Sequence, residues 1–74
     1  MQRELVLRHL NLAREHVANG ERILLKQQLL VERLQGDGHD TSQAKASLES
    51  FKEMQFMHIA DVQRIEKELA EASE

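Results

Sequence analysis

The chain has 74 residues, 41% of them apolar, and 10 Lys and Arg against 13 Asp and Glu give a formal net charge of −3. Such a length excludes more than one domain and leaves a single pair of helices poorly shielded from water, while the absence of cysteine excludes a disulfide framework and thiolate metal sites. With both signs interspersed, the small net charge also argues against a bulk attraction to nucleic acid or anionic lipid.

No apolar stretch approaches the roughly 20 residues that a membrane-spanning helix needs. Arg3, Glu4 and Arg8 stand where a secretory signal would carry its apolar core. The expected setting is therefore cytoplasmic, with no membrane.

The first predicted element is a helix over about residues 3–35, roughly 50 Å long at 1.5 Å per residue. Proline is absent, β-branched residues are scattered, and Leu, Glu, Gln, Lys, Arg and Ala dominate, all of which keep their rotamer freedom in a helix. From Leu10, core-type positions recur at alternating steps of three and four through Ala13, Val17, Gly20, Leu24, Gln27, Val31 and Leu34. That is a heptad seam.

A turn over residues 36–40 follows, holding two of the three glycines. Gly38 is favoured as the residue that ends the helix in the left-handed conformation, with Gly36 as the alternative. Asp40 is expected as N-cap of the next helix, with Gln43 reaching back to complete a capping box.

The second predicted helix, residues 41–72, matches the first in length. Its seam runs through Ala44, Leu48, Phe51, Gln55, His58, Val62, Ile65, Leu69 and Ala72, mirroring the first about His39. Folding back there pairs Leu34 with Ala44, Val31 with Leu48, Gln27 with Phe51, Leu24 with Gln55, Gly20 with His58, Val17 with Val62, Ala13 with Ile65 and Leu10 with Leu69. The expected fold is all-α: residues 1–74 form one antiparallel two-helix, coiled-coil-like hairpin. The N-terminal half is the more basic and the C-terminal half the more acidic, a bias toward that hairpin rather than its cause, since exposed ion pairs are each worth about 1 kcal/mol or less.

Apolar residues also lie off the seam. Leu5, His9, Leu12, His16, Ile23 and Leu30 form a second row on the first helix, Leu25 and Leu29 an i, i+4 pair on another face, and Met54, Phe56, Met57 and Ile59 a group around the middle of the second helix. Burying each large side chain is worth about 1.5–3 kcal/mol, so the expected resolution is a homodimer forming an antiparallel four-helix bundle. Its interface residues would be Leu12, Ile23, Leu25, Leu29, Leu30, Met54, Phe56, Met57 and Ile59.

Several seam positions are empty or polar. Gly20, in mid-helix, costs about 1 kcal/mol relative to Ala and is read as making room for a partner, while Gln27 and Gln55 are read as specifying register. His9, His16 and His58, with Asp61 and Glu15 nearby, raise a metal site whose best ligands would be His16, His58 and Asp61. The spacing matches no zinc motif and no histidine follows a glutamate by three, so no metal and no cofactor is expected. The hydroxyls Thr41, Ser42, Ser47, Ser50 and Ser73 lack an adjacent base and orienting group, and no catalytic residue is assigned.

Two function classes remain. One is a small non-enzymatic assembly or adaptor protein whose bundle docks a protein partner. The other is RNA binding, by analogy of architecture with the repressor-of-primer family, dimeric hairpins that bind paired RNA loops along one helix face; here Arg8, Arg14, Arg22, Lys26 and Arg33 lie on the basic helix. Glu15, Glu21 and Glu32 interrupt them and only Phe51 and Phe56 are aromatic, which disfavours nucleic acid. A metal-responsive regulator is a further alternative.

At Gly20-Glu21-Arg22, Gln27, Leu30-Val31-Glu32-Arg33-Leu34, Asp37-Gly38-His39-Asp40-Thr41 and Phe51, the chain resembles a group of short alphaproteobacterial, often rhizobial, helical-hairpin proteins with a Gly-His-Asp-Thr turn. The likeness covers about residues 16–58. It implies a small cytoplasmic or regulatory protein and brings no activity or catalytic residue.

Overall fold

Strong helix formers fill both halves of the sequence, and only the glycine-bearing segment between them breaks the run. In the computed structural model, which describes residues 2–72, helix α1 spans Gln2–Gly36 and helix α2 spans Ser42–Glu71. The two pack against each other as a helical hairpin whose extents are 58 × 14 × 12 Å. Each helix extends or retreats by one residue from the limits expected.

Every predicted seam position is buried or half-buried. Elsewhere along residues 2–72 the side chains are exposed, apart from Arg3, Val6 and Thr41, which continue the same three-four alternation at its two ends. In heptad terms the seam occupies positions a and d of both helices. Leu10, Ala13 and Ile65 form the buried cluster, with Val6, Val62 and Leu69 packed on it, so the apolar core is weighted toward the end away from the turn.

The turn shows how α1 stops. The N–H of His39 donates to the carbonyl of Leu34 at 2.8 Å and that of Gly38 to Gln35 at 3.1 Å, the paired bonds of a Schellman motif. The motif needs a left-handed residue, and Gly38 has φ 75°.

At the start of α2 the geometry differs from expectation by one residue. Thr41, not Asp40, takes the N-cap position and makes no side-chain cap bond, while the Asp40 carboxylate accepts the Ser42 N–H at 2.9 Å and the Ser42 hydroxyl at 2.7 Å. The Ser42 backbone N–H first, then its hydroxyl, hold the Asp40 carboxyl below its ordinary range. Among the described residues Gln43 makes no bond back to Asp40: with Thr41 as N-cap, Gln43 is the second helical residue rather than the third, from which a capping box closes. Asp40 thus satisfies the first free N–H of α2 from just outside it.

The rungs need one correction. The first neighbour of Gly20 is Gln55 rather than His58: the three atoms nearest to where its Cβ would lie all belong to Gln55, with Cδ at 2.6 Å. A side chain in a helix covers the turn N-terminal to its own Cα, so the missing side chain of Gly20 uncovers the carbonyl of Val17. Gln55 reaches it, donating from Nε2 at 2.9 Å. Toward the far end Val17 and Val62 line one groove, and Ala13 and Ile65 share the buried cluster.

Candidate interaction surface

Gln55 is 6% exposed, and a carboxamide removed from water that far must have its hydrogen bonds met. Nε2 meets the Val17 carbonyl and Oε1 lies 3.2 Å from Nδ1 of His58. No buried side-chain nitrogen or oxygen lacks a partner among the described residues. The middle of the hairpin is thus a satisfied polar layer rather than an empty one.

His58 continues this layer to the surface. Its ring stacks on His16 with centroids 5.6 Å apart and an interplanar angle of 24°. His9, Leu12, Ala13, His16, His58, Asp61 and Ile65 line one shallow groove, so His16, His58 and Asp61 do lie on the same side of the molecule. Among the described residues no group of three or more His, Cys, Asp or Glu could hold a metal ion.

The hairpin has two broad faces, one on each side of the seam. The groove just described places positions g and c of α1 (His9, Leu12, His16) with position g of α2 (Asp61) on one of them. A second groove, lined by Arg14, Val17, Ile59, Val62, Gln63 and Glu66, places positions e and b on the other. There Arg14 reaches across to Glu66 at 3.4 Å. Both side chains are about half exposed, so the pair contributes at most about 1 kcal/mol.

All nine residues expected at an interface, Leu12, Ile23, Leu25, Leu29, Leu30, Met54, Phe56, Met57 and Ile59, are exposed. Leu12, Ile23, Leu30, Met54 and Met57 belong to the g/c face by heptad position, Leu25, Phe56 and Ile59 to the e/b face, and Leu29 to the outer edge of α1. Leu5 and Leu7 are exposed as well. Leu7 was legible in the sequence as an apolar residue three before Leu10, directly beside the seam. Isolated exposed apolar residues are ordinary, but contiguous ones mark surfaces that are covered in use.

No helix among the described residues is long and apolar enough to cross a membrane. Comparison of the chain with family models, with curated proteins and with solved structures gives no match.

Proposed function

We propose that this chain is a small non-enzymatic interaction or assembly protein that works as a homodimeric four-helix bundle in the cytoplasm and docks a protein partner. The observation that carries the reading is that, among the described residues, eleven large apolar side chains are left 38% to 77% exposed, against four buried apolar residues, Leu10, Ala13, Val31 and Ile65. A surface with that much exposed apolar area is stabilised by association. Met54 and Met57 suit such a role, because an unbranched thioether repacks against different neighbours at little cost.

RNA binding of the repressor-of-primer kind is less favoured. Phe51 is half-buried in the seam, leaving Phe56 as the aromatic available for stacking. Arg14 is engaged with Glu66 and Arg22 with Asn19, and Glu15, Glu21 and Glu32 interrupt the basic residues along α1. Purification from the native source at low and at high salt separates the readings. A protein that stays bound at high salt supports docking through apolar contact, whereas RNA released as salt rises would replace it with the nucleic-acid reading.

A further inference from the structure

The two broad faces of the hairpin differ in how their charge is laid out. Along the g/c face, the half nearer the turn carries Lys26 and Arg33 and no carboxylate, while the half away from it carries Asp61, Glu68 and Glu71 against Arg64 alone. Arg64 is already shared between Asp61 at 3.6 Å and Glu68 at 3.0 Å. Lys26 and Arg33 make no ion pair among the described residues. The face is therefore bipolar, positive toward the turn and negative toward the other end.

The e/b face has no such polarity. Glu21, Glu32 and Glu49 outnumber Lys45 and Lys52 near the turn, and Glu4 and Glu66 outnumber Arg14 beyond it. Two copies meeting through this face would bring net negative halves together in either direction.

We propose that the g/c face is where a second copy of this chain packs, with the two hairpins antiparallel so that the turn of one lies beside the far end of the other. The inference rests on the homodimer proposed above and adds which face is used and in which direction. A two-fold axis lying between the two faces and across the helices lays α1 of each copy along α1 of the other and α2 along α2, so that the end bearing Lys26 and Arg33 in one copy lies level with the end bearing Glu68 and Glu71 in the other, one helix over. A parallel arrangement would instead gather the positive halves together and the negative halves together. Charges at this exposure set direction more than affinity. The affinity comes from Leu5, Leu12, Ile23, Leu30, Met54 and Met57, the larger share of the exposed apolar residues.

The area is of the right size. The chain exposes 5852 Å², whereas a compact protein of 8.6 kDa exposes about 4,700 Å². The excess of about 1,200 Å² exceeds the roughly 800 Å² per partner that a standard stable interface buries. Covering the g/c face leaves Leu25, Phe56 and Ile59 open on the opposite side for a different partner.

Because the chain has no cysteine, single thiols report the packing directly. Leu5→Cys and Arg33→Cys, both at exposed positions of α1 and brought opposite one another when α1 lies antiparallel on its own copy, are mixed and oxidised, with far-UV circular dichroism confirming that each remains helical. The antiparallel g/c dimer predicts a disulfide between the two variants and little self-linking of either. Arg33→Cys linking instead to Gln43→Cys, which lies opposite it only when both turns are at the same end, would overturn the direction, and a dimer that links instead through Leu25→Cys would overturn the choice of face. A monomer by sedimentation would remove the homodimer itself. As a second readout, Lys26→Glu with Arg33→Glu is expected to weaken the dimer at least tenfold at low salt, and adding Glu68→Lys and Glu71→Lys to the same chain to restore it. Failure of that restoration would also overturn the proposal.

Discussion

The side-chain amide of Gln55 donates to the backbone carbonyl of Val17 at 2.9 Å across the hairpin, through the space that Gly20 leaves open. Any side chain at position 20 must displace that carboxamide. Gly20 and Gln55 are consequently one feature, a small residue that bares a carbonyl and a polar residue that uses it. Only the register that aligns them satisfies the buried amide, which is how a polar layer fixes the alignment of two otherwise similar seams.

Gly20→Ala tests this coupling. Helix propensity alone predicts stabilisation of about 1 kcal/mol, but losing the hydrogen bond of a buried amide costs about 1–3 kcal/mol. The expected net result is a destabilisation of about 1 kcal/mol. Adding Gln55→Ala should make the cycle non-additive by about 1 kcal/mol, because the shorter side chain at position 55 leaves room for a methyl group at position 20. Additive effects in denaturant titrations would mean that the two residues act separately.

The two turn glycines should respond in opposite ways. Gly38 has φ 75°, where an L-residue is strained by about 1–2 kcal/mol, so Gly38→Ala should lower stability by that amount. Gly36 lies in α1 with nothing within 4 Å of an added Cβ, so Gly36→Ala should be neutral or stabilising by up to about 1 kcal/mol. Thermal melts of the pair decide it, and equal effects would contradict the Schellman assignment.

Asp40 gives a pH dependence with a definite sign. Its folded carboxyl titrates below the ordinary 3.8 because Ser42 donates to it twice. Its contribution is therefore complete above the ordinary value and disappears as pH falls through the lower folded value. Asp40→Ala should melt at a lower temperature than wild type at neutral pH, and the gap should close in strong acid. A gap of constant size across that window would show that the carboxylate is not the group responsible.

Leu10 and Leu12 separate the hairpin from its association. Leu10 is 2% exposed within one hairpin, and Leu10→Ala should cost about 3 kcal/mol at any protein concentration. Leu12, 54% exposed, should matter only where copies meet. Leu12→Ala should leave the dilute hairpin unchanged while lowering the melting temperature at concentrations where wild type is dimeric. Equal losses at all concentrations would place Leu12 in the hairpin core instead.

The seam was legible in the sequence because a three-four alternation of apolar residues records which side of each helix faces the other, and every position from Leu10 to Leu34 and from Ala44 to Ala72 in that alternation is withdrawn from water. The stagger of the rungs was not legible. Pairing Gly20 with His58 follows from mirror counting, but a glutamine long enough to reach a bared carbonyl outweighs that symmetry, and reach is not written in periodicity. The start of α2 was displaced by one residue because Asp40 and Thr41 both suit a cap and composition does not choose between them; in the structure Thr41 is the N-cap and Asp40 accepts from Ser42 from just outside the helix. The exposed apolar residues could be read from the pattern as surplus to the seam. Their division between two faces needed the grooves that join Leu12 to Asp61 and Arg14 to Glu66.

Sedimentation equilibrium of the wild-type chain at micromolar concentration tests the central claim, that this hairpin is completed by association, most directly. The expected result is a species of twice the 8.6 kDa chain mass that gives way to monomer on dilution. A fully helical, cooperatively melting 8.6 kDa monomer throughout that range would contradict it.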